Sequence, residues 1–230
     1  STAQRLMRQR RVPWGFWGER LRPQPGPLRA AAQAVLTAPL RRASMIAAIG
    51  RLAVREYTAR LPGARVVNIP YFCALAGFRE SPARPAAGVG RLRLLFCGQM
   101  IERKGIDLLL AAFASLIADG LDLELALVGR EAGLPSLLRG LPEAARARID
   151  YRGFRSPDEL PGEFARADLF VLPSRHDGWG VVVNQALAAG LPLLCSDAVG
   201  AAHDLVSEGR NGRIVPAGDG NALAAAIARL

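Results

Sequence analysis

One short segment of this chain combines a lysine with two glycines. Lys104 lies in "GQMIERKG" at positions 98–105, and it is the single lysine among the 30 Lys and Arg residues of the 230-residue chain. The glycines allow a backbone to approach a ligand closely. The lysine comes just before a helical pattern, and the free N–H groups and dipole at a helix start favour an anion. The segment therefore indicates an anion site, although a solvated lysine at a helix start is the alternative.

A second glycine-containing segment has the same character. "RHDGWGVVVNQALAAG" at 175–190 contains Gly178 and Gly180 and runs into another helical pattern. Two helix N-termini and Lys104 are suited to hold one diphosphate group. The chain has no GxxxxGK[ST] loop and no GxGxxG after the first strand of this region, which disfavours ATP hydrolysis and ordinary nicotinamide dinucleotide binding.

The elements that must position these segments follow from hydropathy. Short apolar runs alternate with helical patterns such as 106–117, which predicts an α/β fold with a Rossmann-like, doubly wound parallel sheet. Ligands of such a sheet bind beyond the carboxyl ends of its strands, and both glycine segments directly follow a strand. The predicted strands are 92–98, 123–129, 149–153, 167–174, 191–197 and 212–217.

Two helix starts carry capping signals. Ser156, Pro157 and Glu159 match an N-cap, a first-turn proline and a capping box. Asp219 is the predicted N-cap of the last helix. The sequence stops at Leu230, inside this predicted helix.

The first part of the chain predicts only a piece of a second α/β domain. Residues 44–70 indicate strand, helix and strand, and about 28–40 indicate one more helix. We expect 1–78 to be the C-terminal part of a domain that begins upstream, 79–90 a linker and 91–230 a second domain with a truncated last helix. The aromatic residues of "WGFW" at 14–17 are predicted either to lie in a buried corner or to meet lipid headgroups or an acceptor.

Charge is distributed unevenly. Residues 1–90 carry a net charge of +12 and residues 91–230 a net charge of −2. A basic segment suits nucleic acid, an anionic membrane surface or a charged substrate, and an arginine-rich solvated face is an equal alternative. The arginines match no nucleic-acid-binding module, so no nucleic acid partner is expected.

The cysteines and the apolar runs argue against disulfide-rich, zinc-binding and membrane-spanning classes of protein. The three cysteines include no CxxC and no metal-ligand spacing, which predicts neither a disulfide framework nor a zinc site. Cys97 and Cys195 lie in apolar runs and are expected in the core. No apolar run reaches the about 18 residues that a membrane-spanning helix needs, and we expect a cytoplasmic location, with contact at the inner membrane face left open.

Five segments over residues 92–230 together resemble the C-terminal half of a GT-B glycosyltransferase of retaining family 4. They are "FCGQMIERKGIDLLLAAF", "LELALVGR", "YRGF", "ELPGEFARADLFVLPSRHDGWGVVVNQALAAGLPLLCSD" and "HDLVSEGRNGRIVPAGD". Residues 1–78 resemble the end of the acceptor-side domain. The resemblance implies a nucleotide-sugar-binding domain and transfer of the sugar to an acceptor hydroxyl with retention of configuration, with no cofactor and no obligatory metal.

The resemblance also assigns site residues. The family pattern has an arginine after the first glycine, where this chain has Gln99, and a lysine at Lys104. Its Glu-x7-Glu motif corresponds to Asp177 and Gln185, so this chain differs from the motif at both ends. The alternative to a binding role is that Asp177 is a turn residue and Gln185 an exposed helical glutamine. Lys104 and Asp177 are the implied catalytic residues. The implied residues that bind the sugar donor are Gly98, Gln99, Arg103, Lys104, Phe154, Arg155, Asp177, Gly178, Trp179, Gly180, Val181 and Gln185.

The resulting hypothesis is a glycosyltransferase of cell-envelope polysaccharide or glycolipid synthesis. Its expected partners are a nucleotide sugar and a saccharide or lipid-linked acceptor. The alternative is a nucleotide-binding or scaffolding module of this fold without turnover, which the departures at Gln99, Asp177 and Gln185 favour.

Overall fold

A computed structural model of the chain describes residues 6–7, 9–10, 12–22, 26–80 and 91–229. The chain divides into two compact units, Ser1–Tyr71 and Phe72–Leu230. Most of the predicted linker at 79–90 lies outside the described residues, which resume at residue 91. The division between the units falls before the expected boundary at residue 78.

The first unit is a small parallel sheet with flanking helices. Its strands lie in the order β1-β2-β3. The predicted strand, helix and strand within 44–70 is confirmed, whereas β1 was not predicted because four residues flanked by glycine show too little alternation. The elements are β1 (Gly15–Gly18), α1 (Pro27–Thr37), a 3₁₀ turn (Ala38–Arg42), β2 (Met45–Ala48), α2 (Arg51–Arg60) and β3 (Val66–Asn68).

Tyr57 lies at the centre of the first unit's core. Its ring packs edge-on against Phe16 at 6.0 Å between centroids, and its hydroxyl donates to the carbonyl of Glu19 at 2.9 Å. Burial, followed by the charge of Glu56, raises the pKa of Tyr57 to about 12. Trp17 is exposed, and its indole donates to the Ile69 carbonyl at 3.1 Å. Only part of the aromatic cluster at 14–17 therefore enters this core.

The second unit contains a six-stranded, all-parallel sheet in the order β6-β5-β4-β7-β8-β9. The four inner strands are mainly apolar and largely buried, as expected for a sheet with helices on both faces. All six lie within or at the predicted ranges. They are β4 (Leu92–Cys97), β5 (Leu123–Val128), β6 (Ile149–Gly153), β7 (Leu169–Leu172), β8 (Leu193–Ser196) and β9 (Gly212–Val215).

The helices of this unit form two packed groups. In chain order they are α3 (Ala76–Arg79), α4 (Ile106–Ala118), α5 (Leu134–Arg139), α6 (Glu143–Arg146), α7 (Leu160–Ala165), α8 (Val181–Ala188), α9 (Ala202–Leu205) and α10 (Gly220–Ala228). Helix α4 packs with α6 and α10, whereas α8 packs with α3, α7 and α9. After β4, the next two strands, β5 and β6, are added on one side of the sheet. After β7, the strands β8 and β9 are added on the other side. Since parallel crossovers are right-handed, this reversal puts the groups on opposite faces and creates a switch point between β4 and β7.

One of the two predicted helix caps is confirmed and the other is wrong. Asp219 caps α10 as expected, because its carboxylate accepts from the Ala222 N–H at 2.8 Å. Helix α7, however, begins at Leu160 after a turn, and Ser156 is not its N-cap. The Glu159 carboxylate does accept from the Ser156 N–H at 2.8 Å, but the Ser156 hydroxyl donates to that same carboxylate at 2.7 Å. The capping box is half formed, and it closes a turn before the helix.

Helix α3 belongs to the second unit because of one aromatic side chain. Phe78 is 5% exposed and packs edge-on against Phe164 at 5.3 Å, while Phe164 stacks on Phe170 of β7. The predicted core positions of Cys97 and Cys195 are confirmed, and the three cysteines are free. Within the described ranges, no helix is both long and apolar enough to span a membrane.

Candidate functional site

The loops after β4 and β7 meet at the switch point. Gly105 ends the first loop with φ +72°, and a Cβ at this position would lie 2.1 Å from the Pro173 carbonyl oxygen. A residue with a side chain is therefore excluded by both backbone conformation and contact. This glycine lets the start of α4 pack directly against the loop that contains Asp177.

Lys104 and Asp177 form an ion pair across the two loops. Lys104 Nζ donates to Asp177 Oδ2 at 2.5 Å, and the side chains are only 16% and 11% exposed. Asp177 is itself fixed, since its N–H donates to the Ala198 carbonyl at 3.0 Å and its carbonyl accepts from the Gly200 N–H at 3.1 Å. The two residues predicted to be catalytic are therefore in direct contact.

Arg103, predicted as a ligand-binding cation, makes a contact between loops. Its Nη1 donates to the His176 carbonyl at 3.0 Å, and its own carbonyl accepts from the Arg175 N–H at 2.9 Å. The guanidinium thus reaches toward the loop after β7 and helps to join the two loops.

Helix α8 supplies hydrogen-bonding groups beside the ion pair. It begins at Val181 after Gly180, so its first N–H groups have no partner within the helix. Gln185 lies in the second turn, and its Oε1 is buried without a hydrogen-bond partner among the described residues. A buried amide oxygen without a partner is costly, and this oxygen is available to accept a hydrogen bond.

Trp179, predicted to bind the sugar donor, has a buried side chain. It is 1% exposed, and its indole N–H donates to Asn184 Oδ1 at 2.9 Å. The ring is part of the core under α8, and the preceding Gly178 backbone packs closely on Gly200. The side chain therefore connects the loop to α8, and a contact of Trp179 with the donor stays a prediction.

A cavity of about 340 Å³ opens at the carboxyl ends of β4, β5 and β6. Phe154 at its rim is 67% exposed, and the Arg130 guanidinium lies 6.0 Å from its ring centroid. An exposed ring beside a cation offers a flat surface on which an aromatic base can stack. The lining residues are Cys97, Gly98, Gln99, Val128, Gly129, Arg130, Phe154, Arg155 and Leu160.

A buried carboxylate supports the rim of this cavity. Glu163 accepts from Arg155 Nε at 2.9 Å and from Arg152 Nη1 at 2.6 Å. Burial raises the pKa of Glu163, but the hydrogen bonds and charges of these two arginines outweigh it, so the pKa lies below its usual value. The ionised Glu163 therefore fixes Arg155, which was predicted to bind the ligand, at the cavity edge.

Burial disfavours thiol chemistry at the site. Burial raises the pKa of Cys97 to about 12, so its thiol stays protonated at neutral pH. Across the part of the chain that the structure describes, no three His, Cys, Asp or Glu residues are grouped to hold a metal ion. The polar groups at the site instead suit a ligand with a flat base, hydroxyls and phosphates.

Comparison with protein families agrees with this geometry. The family model described as "Glycosyl transferases group 1" matches residues 91–230. This chain belongs to that family. The GT-B fold and the membership predicted from the five segments are confirmed, and the cavity and the ion pair both lie inside the matched range.

Curated relatives of this chain are named for the transfer of different sugars. Phosphatidyl-myo-inositol mannosyltransferase of Mycobacterium leprae is 33% identical over 194 residues, covering 79% of this chain and 50% of that protein. Alpha-D-kanosaminyltransferase of Streptomyces kanamyceticus is 29% identical over 184 residues, covering 75% of this chain and 46% of that protein. The chain thus spans about half the length of these relatives.

Solved structures share the fold of this chain. Anabaena HepE in complex with UDP superposes with a TM-score of 0.80 at 22% identity, covering 99% of this chain and 65% of that one. Sucrose-phosphate synthase from Thermosynechococcus elongatus gives a TM-score of 0.70 at 25% identity, covering 87% and 52%.

Three residues at the site were missed from the sequence. Arg130 follows β5, and the rule that ligands bind beyond strand ends would have selected it. Asp107 and Arg175 flank the predicted residues, and a carboxylate in the first turn of a helix was the signal available for Asp107. Arg175 carried no signal of its own, because its partner is 68 positions away in the sequence.

Proposed function

We propose that this chain forms the sugar-donor side of a retaining glycosyltransferase. The enzyme would transfer a sugar from a nucleotide sugar to an acceptor hydroxyl, in cell-envelope polysaccharide or glycolipid synthesis. The observation that carries the proposal is the Lys104–Asp177 contact at the switch point of the sheet, in the crevice where doubly wound folds bind ligands.

The groups around the ion pair match the parts of a nucleotide sugar. The Phe154 ring and the cavity beside it suit the base, and Gln185 Oε1 suits a ribose hydroxyl. Lys104 and the N-terminus of α8 suit the diphosphate. Oδ2 of Asp177 accepts from Lys104, and the second carboxylate oxygen can accept a hydrogen bond from a hydroxyl of the transferred sugar.

The proposed chemistry uses Lys104 as a fixed positive charge. As the bond between the sugar and the diphosphate breaks, negative charge grows on the leaving phosphate. An ammonium that is already positioned, together with N–H groups at a helix start, stabilises this charge without reorganisation. Asp177 orients Lys104 beforehand, and the three ammonium protons allow contact with carboxylate and phosphate at once. Gln99 lies where the family has a second cation, so Lys104 carries more of this role.

Names of the relatives support a lipid-linked acceptor. Relatives at 30% and 33% identity are named as phosphatidyl-myo-inositol mannosyltransferases. Retention of configuration rests on the family resemblance, and contact with a membrane surface stays a prediction.

The test is transfer from a panel of UDP- and GDP-linked sugars, measured on this chain and on any longer natural chain that contains it. Lys104→Ala is expected to lower the rate by about 100-fold or more, since a single group that stabilises transition-state charge has this effect. Because this variant leaves the Asp177 carboxylate buried and unpaired, it is expected to lower the melting temperature too.

A paired variant separates folding from chemistry. Lys104→Met combined with Asp177→Asn removes both charges, so we expect a melting temperature close to wild type and no transfer. Wild-type transfer by this double variant would contradict the proposed role. Nucleotide binding by the wild type without turnover on any sugar donor would favour the non-enzymatic module.

A further inference from the structure

Arg175 connects the loop after β7 to the start of α4. Its Nη1 and Nη2 donate to Asp107 Oδ1 and Oδ2, each at 2.6 Å. Nη1 also donates to the Glu102 carbonyl at 2.7 Å. We call these three contacts the Arg175 clamp. A bidentate guanidinium–carboxylate pair fixes direction as well as distance, which a single lysine contact does not.

The clamp and Arg103 each connect the two loops that contain the ion pair. Arg103 precedes Lys104 and donates to the carbonyl of His176, the residue before Asp177. In the opposite direction, Arg175 reaches back to Glu102. Each member of the Lys104–Asp177 pair therefore has a neighbour that is bound to the other loop.

The clamp uses none of the groups proposed to bind the ligand. A bound diphosphate shares the Lys104 ammonium with Asp177, so the ion pair alone holds the loops less firmly once the ligand is bound. The clamp is unaffected by that sharing. Burial raises the pKa of Asp107, but the Arg175 hydrogen bonds outweigh it and hold the pKa below its usual value, so the carboxylate is ionised at neutral pH.

We propose that Arg175, through Asp107 and the Glu102 carbonyl, is a positioning residue that fixes the separation of Lys104 and Asp177 for diphosphate binding. The proposal rests on the proposed function of the site. Arg175 acts through the loops and is not itself a catalytic residue.

The first experiment follows amide hydrogen exchange without ligand. The Lys104 and Gly105 N–H groups donate to the Ile101 and Glu102 carbonyls at 2.9 Å each. Arg175→Gln is expected to speed their exchange at least fivefold, although the substitution lies in the other loop. Asp107→Asn, which breaks the clamp from the α4 side, should do the same. Arg91→Gln removes an exposed ion pair with Asp122, with side chains 46% and 57% exposed, and should change neither rate.

The second experiment compares ligands with and without phosphates. Arg175→Gln is expected to raise the Kd of UDP or GDP by about 5- to 20-fold, equivalent to about 1–2 kcal/mol. The Kd of uridine or guanosine should change less than twofold, because the clamp is not part of the cavity lined by Phe154. Arg175→Lys restores one contact but not the bidentate pair, so it should recover part of the diphosphate affinity.

The outcomes separate the two proposals. Equal weakening of diphosphate and nucleoside binding, or unchanged exchange at Lys104 and Gly105 in both clamp variants, would overturn the positioning role. Faster exchange in the clamp variants together with no UDP or GDP binding by the wild type would overturn the nucleotide site, and would leave the clamp as a connection between two loops.

Discussion

Gln185 carries a buried oxygen that has no hydrogen-bond partner among the described residues. Leaving such a group unsatisfied costs about 1–3 kcal/mol. A leucine or methionine in this turn of α8 would avoid the cost, so the glutamine is unfavourable for the fold. A ribose hydroxyl that donates to Oε1 would recover this energy when the nucleotide binds.

Gln185→Met is therefore expected to affect stability and binding in opposite directions. The melting temperature should stay the same or rise by a few degrees, because the unsatisfied oxygen is removed and the volume is kept. The Kd of UDP or GDP should increase by about 5- to 15-fold for the loss of one hydrogen bond. Calorimetric titration and thermal unfolding measure the two effects.

Ribose analogues provide the control for Gln185. The wild type should bind 2′,3′-dideoxynucleoside diphosphates more weakly than the ordinary ones, whereas Gln185→Met should bind both alike. A methionine variant that still discriminates between them would show that another residue contacts the ribose.

At this scale the sequence predicted residue types better than residue contacts. The resemblance selected Lys104, Asp177 and Gln185, and the structure puts two of them in contact and leaves the third with a free acceptor. It also selected Trp179, whose side chain is buried in the core, so its contact with the donor stays a prediction. The sequence could not show this burial, because the burial depends on where Asn184 and Gly200 lie in space.

Two loops, more than any single strand, define the site at the level of elements. The backbone of Gly105 packs on Pro173, so the first loop can approach the second only where no side chain intervenes. The four inner strands were predictable because buried parallel strands are continuous apolar runs. The start of α7 was not, because Ser156 and Glu159 can close either a helix or a turn, and the structure has the turn.

Replacing Gly105 tests the contact between loops. Gly105→Ala is expected to lower the free energy of unfolding by about 2 kcal/mol or more, from backbone strain plus the displacement of the Pro173 carbonyl. It should also weaken UDP or GDP binding by at least tenfold, because Lys104 is the adjacent residue. Chemical denaturation and titration calorimetry measure these changes.

Gly209 is a close control for this substitution. Its φ is +71°, against +72° for Gly105, but a Cβ there would have no heavy atom within 4 Å. Gly209→Ala therefore carries the conformational strain alone, about 1–2 kcal/mol, and should leave nucleotide affinity unchanged. If both alanine variants lose stability and affinity equally, the Gly105–Pro173 contact does not hold the loops.

At the scale of the whole molecule, the structural unit and the family match begin at different residues. The second compact unit starts at Phe72, whereas the family model starts at residue 91. The difference includes α3, whose Phe78 packs under α7. The sequence predicted a boundary at 78 because a four-residue helix has no detectable periodicity, and because the Pro- and Gly-rich stretch after it is typical of a linker.

Two shortened chains test whether the second folding unit begins at Phe72 or at residue 91. Residues 72–230 should fold alone and bind UDP or GDP within twofold of the 230-residue chain, because every proposed ligand-binding residue lies in this unit. Residues 91–230 lack Phe78, and losing one fully buried aromatic side chain costs about 2–3 kcal/mol, so this shorter chain should melt about 5–10 °C lower. Phe78→Ala in residues 72–230 should reproduce most of that difference, since the ring provides the packing on Phe164. Equal melting temperatures for the two shortened chains would mean that α3 adds no stability, and an unfolded 72–230 chain would mean that this unit depends on the first.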